Sequence, residues 1–194
     1  MYATRPRLKA DDPELRPDPS LARSREQLEA YRPPNAEQAR MRDRILAFLE
    51  TYPRDAHLRS RLEGHLTASA LVVDADFDRV LLLHHRKLHR WLQPGGHCDG
   101  DGNLVGVAFR EASEESGISG LEIVPRIIDL DIHEIPERRG VPRHLHLDTR
   151  FLVVAPEGAE PAGNHESNAL AFHTFDQARR LDVDDSVLRL LDGL

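Results

Sequence analysis

The chain has 194 residues, of which 40% are hydrophobic and 30% are charged, and its formal net charge is −7. This length predicts one core-forming domain with an extension, and the acidic balance argues against duplex nucleic acid as a partner. The single cysteine, Cys98, excludes an internal disulfide, and no apolar run approaches the ~20 residues of a membrane span. We therefore expect a cytoplasmic protein that does not contact a membrane.

The first third of the chain predicts an arm followed by a helical extension. Residues 1–19 are rich in proline, arginine and aspartate, which is typical of a flexible or draped arm. Residues 20–64 have helical periodicity, with Ser20 and Asn35 as capping residues. The predicted helices cover about 20–31, 36–51 and 56–63. This extension could pack on the main domain, cover its site or form a homodimer contact, and the sequence leaves all three open.

From residue 65 the pattern changes to β-branched and apolar runs separated by turn residues, which predicts an α/β domain over 65–194. The predicted strands cover about 67–73, 80–85, 91–96, 121–134, 143–154 and 169–175. The predicted helices cover about 103–116, 176–181 and 184–191.

The helix predicted over 103–116 follows a glycine-rich, acidic loop and carries three carboxylates close together. Residues three and four apart share one face of a helix, so Glu111, Glu114 and Glu115 converge within about one turn. Three like charges on one face repel unless a cation lies among them. Carboxylate oxygens are the ligands that Mg²⁺ and Mn²⁺ prefer. The spacing therefore predicts a divalent-metal site on this helix.

This segment resembles the signature of the Nudix hydrolases: a glycine, five residues, a glutamate, seven residues, then Arg-Glu-aliphatic-x-Glu-Glu-x-Gly-aliphatic. The matching residues, aligned without gaps, are Gly96, Arg110, Glu111, Glu114, Glu115, Gly117 and Ile118. The resemblance implies an α/β/α sandwich with a mixed sheet. It also implies Mg²⁺- or Mn²⁺-dependent cleavage of a diphosphate linkage in a small molecule, a nucleoside diphosphate linked to another group.

The resemblance also implies roles for single residues. Glu111 and Glu115 are the expected metal ligands, with Glu114 and the main-chain carbonyl near Gly95 in support. Arg110 is expected to orient a carboxylate by paired hydrogen bonds.

A further loop acid is expected to act as a metal ligand or general base. Glu166 is the candidate for this role and Glu160 its competitor, because both lie in the loop before the last predicted strand. Either Glu111 or Glu166 could orient or deprotonate the attacking water, and the sequence does not decide between them.

Two positions depart from the signature. Ala112 is a smaller aliphatic residue than usual, and Gly102 stands where the family has its loop glutamate, which mainly supports the helix and its arginine. Asp99 or Asp101 could substitute for that glutamate, and Gly102→Glu is expected not to abolish activity because it restores the pattern.

Two rival functions remain alongside the hydrolase. The departure at Gly102 favours a non-catalytic sensor of a nucleotide-like ligand. A prenyl diphosphate isomerase shares the fold and uses histidine and glutamate ligands with a cysteine, so Cys98 keeps that alternative open.

Cationic and polar residues outside the signature are candidates for substrate binding. His84 and Arg86 end a predicted strand, where they could meet an anionic substrate or simply face solvent. Alternation along the two long strands places polar residues on one face, and if the strands pair they form one polar surface. These residues are His144, His146, Asp148 and Arg150 on one strand and Asp129, Asp131 and His133 on the other. This surface is either solvated, a substrate-pocket wall that includes His144 and His146, or an extra metal site.

Overall fold

A mixed sheet forms the centre of the protein in this computed structural model, which describes residues 5–86, 89–138, 140–162 and 167–193. Its strands are β1 Gly64–Val73, β2 Arg79–His85, β3 Trp91–Leu92, β4 Gly95–His97, β5 Glu122–Ile135, β6 His144–Val154 and β7 Ser167–Thr174. The helices are α1 Leu21–Ala30, α2 Ala36–Thr51, α3 Leu104–Ser116, α4 Phe175–Ala178 and α5 Asp185–Asp192. No helix in these described ranges is long and apolar enough to cross a membrane.

The strand order is β3-β2-β1-β6-β5, with β4 paired to β1 and β7 paired to β2. Strands β1 and β6 run parallel, whereas the other pairs are antiparallel. The two long strands pair with each other, and Asp131 lies opposite Asp148 and His133 lies opposite His146. The parallel register then places Thr67 of β1 beside the same Asp148.

Each face of the sheet is covered by helices, because alternate residues along β1 and β6 enter different cores. Leu66 and Leu147 belong to a core that α1, α2 and α3 cover. Leu71 and Leu152 belong to a second core, closed by residues of α5 such as Val187. This arrangement is the predicted α/β/α sandwich, preceded by N-terminal helices.

The N-terminal arm lies along the domain. Leu8 pairs with Ile123 through backbone hydrogen bonds of 2.9 and 3.0 Å, and Leu15 is buried in the core under α3. Ser20 and Asn35 cap α1 and α2 as predicted, because their side chains accept from backbone N–H groups in the first turn. The division into arm, helical extension and domain stays a prediction.

The helix predicted over 56–63 is wrong, since these residues form turns. The carbonyl of Ala56 accepts from Leu66 N at 2.7 Å, and the carbonyl of His57 accepts from Gly100 N at 3.1 Å. Both carbonyls are therefore engaged by distant segments, and the segment follows those contacts instead of its local helical periodicity.

Candidate active site

Helix α3, which carries the three glutamates, is fixed at both ends by its neighbours. Its first free backbone donor, Leu104 N, donates to the Gln27 side chain of α1 at 2.9 Å. The Asn103 side chain does not cap the helix; it donates instead to two backbone carbonyls of the arm, at 2.8 and 2.9 Å. The helix ends at Gly117, whose φ of 65° is the left-handed conformation that favours glycine.

Two of the carboxylates converge on the glycine pair at the start of β4. Gly95 N donates to Glu115 Oε2 at 2.9 Å. A side chain at Gly96 would overlap the carboxylate of Glu111, so glycine at this position leaves room for that carboxylate beside β4. The loop and the helix thus bring two of the predicted metal ligands, Glu111 and Glu115, next to the Gly95-Gly96 backbone, where the Gly95 N–H contacts Glu115.

Electrostatics at this face suit a cation. Burial raises the pKa of Glu111, and although the hydrogen bond from Arg110 opposes this, the charge of Glu114 raises the pKa further. Arg110 donates to Glu111 at 2.8 Å and to the carbonyl of His97 at 3.0 Å. A divalent ion between two neighbouring carboxylates offsets the repulsion of their charges. The donor set, all hard oxygen, therefore fits Mg²⁺ or Mn²⁺.

The N-terminal arm occupies the space at Gly102, where the family signature has its glutamate. Gly102 N donates to the Asp18 carbonyl at 2.5 Å, and its own carbonyl accepts from Ser24 Oγ at 2.6 Å. A side chain at position 102 would overlap the backbone of Ser20. A glutamate at position 102 would therefore displace the arm, and the expectation that Gly102→Glu does not abolish activity stays a prediction.

Asp101 is the nearer of the two candidates for the missing glutamate. Its carboxylate lies 3.9 Å from the guanidinium of Arg110, and it also accepts from the backbone of Asp18 at 3.0 Å. Asp99 instead pairs with Arg59, which holds the pKa of Asp99 below its usual range. Asp101 thus links the arm, the loop and the arginine that contacts Glu111.

The loop acid predicted as base or ligand is not placed. Glu166 lies outside the described residues, so its role stays a prediction. Its competitor Glu160 is exposed on the loop that precedes β7.

The predicted substrate-binding residues separate into two places. The ring of His84 contacts Trp91 at 5.3 Å between centroids, and its Nδ1 lies 3.3 Å from the Asn168 amide. Arg86 is exposed at the end of β2. His144 and His146 lie across the sheet on β6, so these four residues do not form one pocket wall.

His144 and His146 belong to a cluster of histidines that alternation alone did not reveal in full. The ring of His65 on β1 lies 5.0 Å from that of His144, 4.9 Å from that of His146 and 5.0 Å from that of His97. His133 completes the cluster at 5.3 Å from His146. The predicted strand begins at residue 67, whereas β1 begins at Gly64. A prediction that included His65 would have placed it, by alternation, on the same face as Thr67.

Burial keeps most of these imidazoles uncharged. It lowers the pKa of His146 to about 2 and that of His97 to about 4, and it lowers the pKa of His65. His133 differs, because the hydrogen bond to Asp131 at 2.9 Å outweighs its burial and raises its pKa. The cluster therefore offers neutral nitrogen donors at neutral pH.

Below the histidines, the same sheet face carries a buried ionic network. Arg150 is 2% exposed and contacts Asp148 at 3.0 Å, Asp129 at 3.2 Å and Asp131 at 3.5 Å. Arg189 of α5 also pairs with Asp129 and Asp131, at 3.0 and 2.9 Å. Buried charges persist when they are paired and hydrogen-bonded in this way. Around Arg150, the polar surface predicted from alternation is therefore a buried ionic network and not a solvated face.

Cys98 is buried at 1% exposure, although it lies next to the site. Burial raises the pKa of its thiol well above the ordinary value, and nearby Asp101 raises it further. A reactive cysteine needs thiolate character and access, and Cys98 has neither.

One cavity of about 1040 Å³ lies apart from the three glutamates and the histidine cluster, between α1, β5 and α5. Its lining includes Gln38, Ile127 and Arg189, and it includes none of the three glutamates or the clustered histidines. The chemistry of the site therefore does not lie in this cavity.

Comparison with known proteins identifies the domain. A family profile described as NUDIX domain matches residues 64–191. Comparison with curated proteins gives no match.

Several solved structures are similar in fold. An Ap4A hydrolase of C. elegans, in a binary complex, is 20% identical with a TM-score of 0.54, over 66% of this chain and 93% of that chain. The MutT protein from Methanosarcina mazei Go1 is 17% identical with a TM-score of 0.55, over 68% and 93%. The NUDIX domain of Shewanella oneidensis NrtR, complexed with ADP ribose, is 16% identical with a TM-score of 0.52, over 78% and 94%.

The profile match covers more than half of the chain, and it includes the whole sheet together with the carboxylate helix. Members of this family generally need divalent metals. The chain belongs to the NUDIX domain family and is a Nudix-type pyrophosphohydrolase that acts on phosphorus-containing acid anhydrides.

Proposed function

We propose that this protein cleaves the diphosphate linkage of a nucleoside diphosphate linked to another group, and that it depends on Mg²⁺ or Mn²⁺. The observation that carries the proposal is the convergence of Glu111 and Glu115 on the Gly95-Gly96 backbone. The similar Ap4A hydrolase and the similar domain complexed with ADP ribose support this class of substrate.

The residues that would hold the metal are Glu111, Glu114 and Glu115, with the carbonyl of Gly95. A divalent ion held there would shield the phosphate oxygens and lower the pKa of a water molecule. Arg110 holds the Glu111 carboxylate in one orientation through its 2.8 Å hydrogen bond. Glu111 or the loop acid Glu166 takes the proton of the attacking water.

Substrate phosphates carry negative charge, which cationic groups can balance, and their oxygens accept hydrogen bonds, which imidazole N–H groups can donate. We propose His84 and Arg86 at the end of β2, and His144 and His146 on β6, as two separate contact regions. Their separation suits a substrate with groups on both sides of the cleaved linkage.

The rival functions differ in their support. Burial of Cys98 and its raised thiol pKa argue against the isomerase, which needs an accessible cysteine. The sensor is favoured by one observation, the arm backbone packed against Gly102 in place of the loop glutamate. Asp101 beside Arg110 offsets that loss in part, so hydrolysis remains the better-supported function.

A phosphate-release screen tests the proposal. Purified protein is offered nucleoside triphosphates, ADP-ribose, dinucleoside polyphosphates, sugar nucleotides and coenzyme A, with Mg²⁺, with Mn²⁺ or with chelator. We expect metal-dependent release from one class and a fall of about 10³-fold or more in Glu115→Gln, because a carboxylate ligand is lost.

The matched control is Glu37→Gln, which removes an exposed carboxylate from the first turn of α2. It is expected to turn over like the wild type. If the folded protein releases no phosphate from any compound of the screen, this result contradicts the hydrolase and supports the sensor. Full activity in Glu115→Gln contradicts the proposed metal centre.

A further inference from the structure

We propose that His65, His144 and His146 form a second metal site, which binds a transition-metal ion of the Zn²⁺ type separately from the carboxylates of α3. Each residue offers one ligand nitrogen, and the three nitrogens lie within 4.8 Å of one another. The proposal concerns binding alone and does not depend on the hydrolase activity.

The sheet fixes the relative positions of the three residues. His65 and His146 are direct partners in the parallel register of β1 and β6. His144 lies two residues before His146 on β6, so all three side chains leave the same face. A site built on neighbouring strands is held by their backbone hydrogen bonds, which limits the rearrangement that binding requires.

Hydrogen bonds assign the proton on two of the rings. Nδ1 of His144 lies 2.8 Å from the carbonyl of Pro142, and Nδ1 of His65 lies 3.4 Å from the carbonyl of Arg61. A carbonyl only accepts, so in each ring Nδ1 carries the hydrogen and Nε2 keeps its lone pair. A histidine that ligates a metal commonly donates its other ring N–H to a backbone carbonyl in this way.

Two of the candidate donors are buried polar atoms without a partner. Nε2 of His65 and Nε2 of His146 are inaccessible to solvent and have no hydrogen bond within the part of the chain that the structure describes. Buried polar nitrogens are normally satisfied, so these two atoms point independently to a missing ligand. All three residues are histidines, so none of them offers a carboxyl group as a partner. A metal cation is the partner that can accept lone pairs from several nitrogens at once.

The donor chemistry selects the kind of ion. Imidazole nitrogen suits Zn²⁺, Co²⁺, Ni²⁺ and Cu²⁺, whereas Mg²⁺ and Mn²⁺ prefer the oxygens of α3. Metal–nitrogen bonds of about 2.1 Å in tetrahedral geometry set the nitrogens about 3.4 Å apart. Binding therefore draws the nitrogens closer by roughly 1 Å, which small ring rotations provide, and leaves a fourth position for water or an anion.

Charge around the cluster does not oppose a cation. Arg59 is the nearby cation that acts on His65, and its guanidinium is paired with Asp99. On the other side, His133 is hydrogen-bonded to Asp131. Arg59 and His133 thus each have a carboxylate partner.

Titration of the whole, tag-free protein with Co²⁺ and then Zn²⁺ tests the site. Co²⁺ bound by three imidazoles gives visible d–d absorption, and Zn²⁺ is expected to displace it. We expect one such ion per chain, and at least about 100-fold weaker binding in His144→Ala and in His146→Ala, since each change removes a ligand. Circular dichroism of both variants shows whether the fold is kept.

Two controls separate this site from the carboxylate site. His84→Ala removes a histidine outside the cluster, and Glu115→Gln removes a ligand of the proposed hydrolytic centre, and both are expected to bind Co²⁺ like the wild type. Zn²⁺ is also expected to raise the Tm of the wild type but not of the two histidine variants. Absence of Co²⁺ binding in the wild type, or binding that survives both histidine changes, overturns the proposal. Failure of the phosphate-release screen leaves it standing.

Discussion

The carboxylate face of α3 and the histidine cluster of β1 and β6 are neighbouring groups of potential metal ligands, yet they are built in opposite ways. The glutamates are charged, and their helix is fixed by other parts of the chain, namely Gln27 of α1 and the backbone of the arm. Burial keeps most of the histidines uncharged, and they are fixed by the strand register itself. One site depends on tertiary supports and the other on the sheet.

This difference teaches where each site is vulnerable. The helix face loses its geometry when an outside support is removed, although its ligands remain. The histidine cluster loses its geometry only when the sheet face beneath it is disturbed. Changes to the supports should therefore affect one metal site and spare the other.

The largest effect is expected for Arg150→Met, which disturbs the sheet face. Arg150 is buried among three carboxylates, and of these Arg189 contacts only Asp129 and Asp131, so removing Arg150 takes away the arginine that pairs with Asp148. Breaking a buried ion pair from one side costs about 3–5 kcal/mol of unfolding free energy. Urea unfolding measures the loss, and the surviving folded protein is expected to bind Co²⁺ more weakly.

The control for this change is Arg143→Met, which lies at the start of the same strand. Its side chain is 71% exposed and pairs with Glu134 at 3.4 Å. An exposed ion pair contributes less than about 1 kcal/mol, so this variant is expected to be near wild type. Equal losses in the two variants would show that the buried network does not support the sheet face.

A smaller effect is expected for Gly102→Glu, which disturbs the support of α3. The new side chain would overlap the backbone of Ser20, so the arm must move away from the loop. We expect a loss of about 1–3 kcal/mol in unfolding free energy and lower metal-dependent turnover, with Co²⁺ binding unchanged. Ser119→Glu adds the same charge at an exposed position and serves as the control. Wild-type stability and activity in Gly102→Glu would mean that the arm does not hold the loop.

The smallest effect is expected for Gln27→Ala, which removes a single contact to α3. The amide of Gln27 accepts from Leu104 N and donates to Asn103, both at 2.9 Å. Loss of such a helix cap costs about 1 kcal/mol. Thermal unfolding measures it against Glu26→Ala, an exposed neighbour on the same helix. A difference below the error of the measurement would remove Gln27 from the supports of α3.

Local patterns in the sequence predicted much of the fold, the glutamates of α3 and the two histidines of β6. The spacing of Glu111, Glu114 and Glu115 reads directly as one helix face, and Ser20 and Asn35 cap the helices that their positions predict. Alternation along β6 placed His144 and His146 on one face. Such patterns depend on residues a few positions apart, which is why the sequence alone determined them.

Contacts between distant segments decided the remainder. The arm fills the space of the missing loop glutamate, and His65 joins the β6 histidines through parallel pairing. The carbonyl of Ala56 accepts from Leu66 N, and the helix predicted from residue 56 does not form. Residues 67 and 148, whose side chains bond across the same sheet face, are 81 positions apart. Periodicity carries no record of which strands become neighbours or of which backbone fills a space, because both depend on how the whole chain packs.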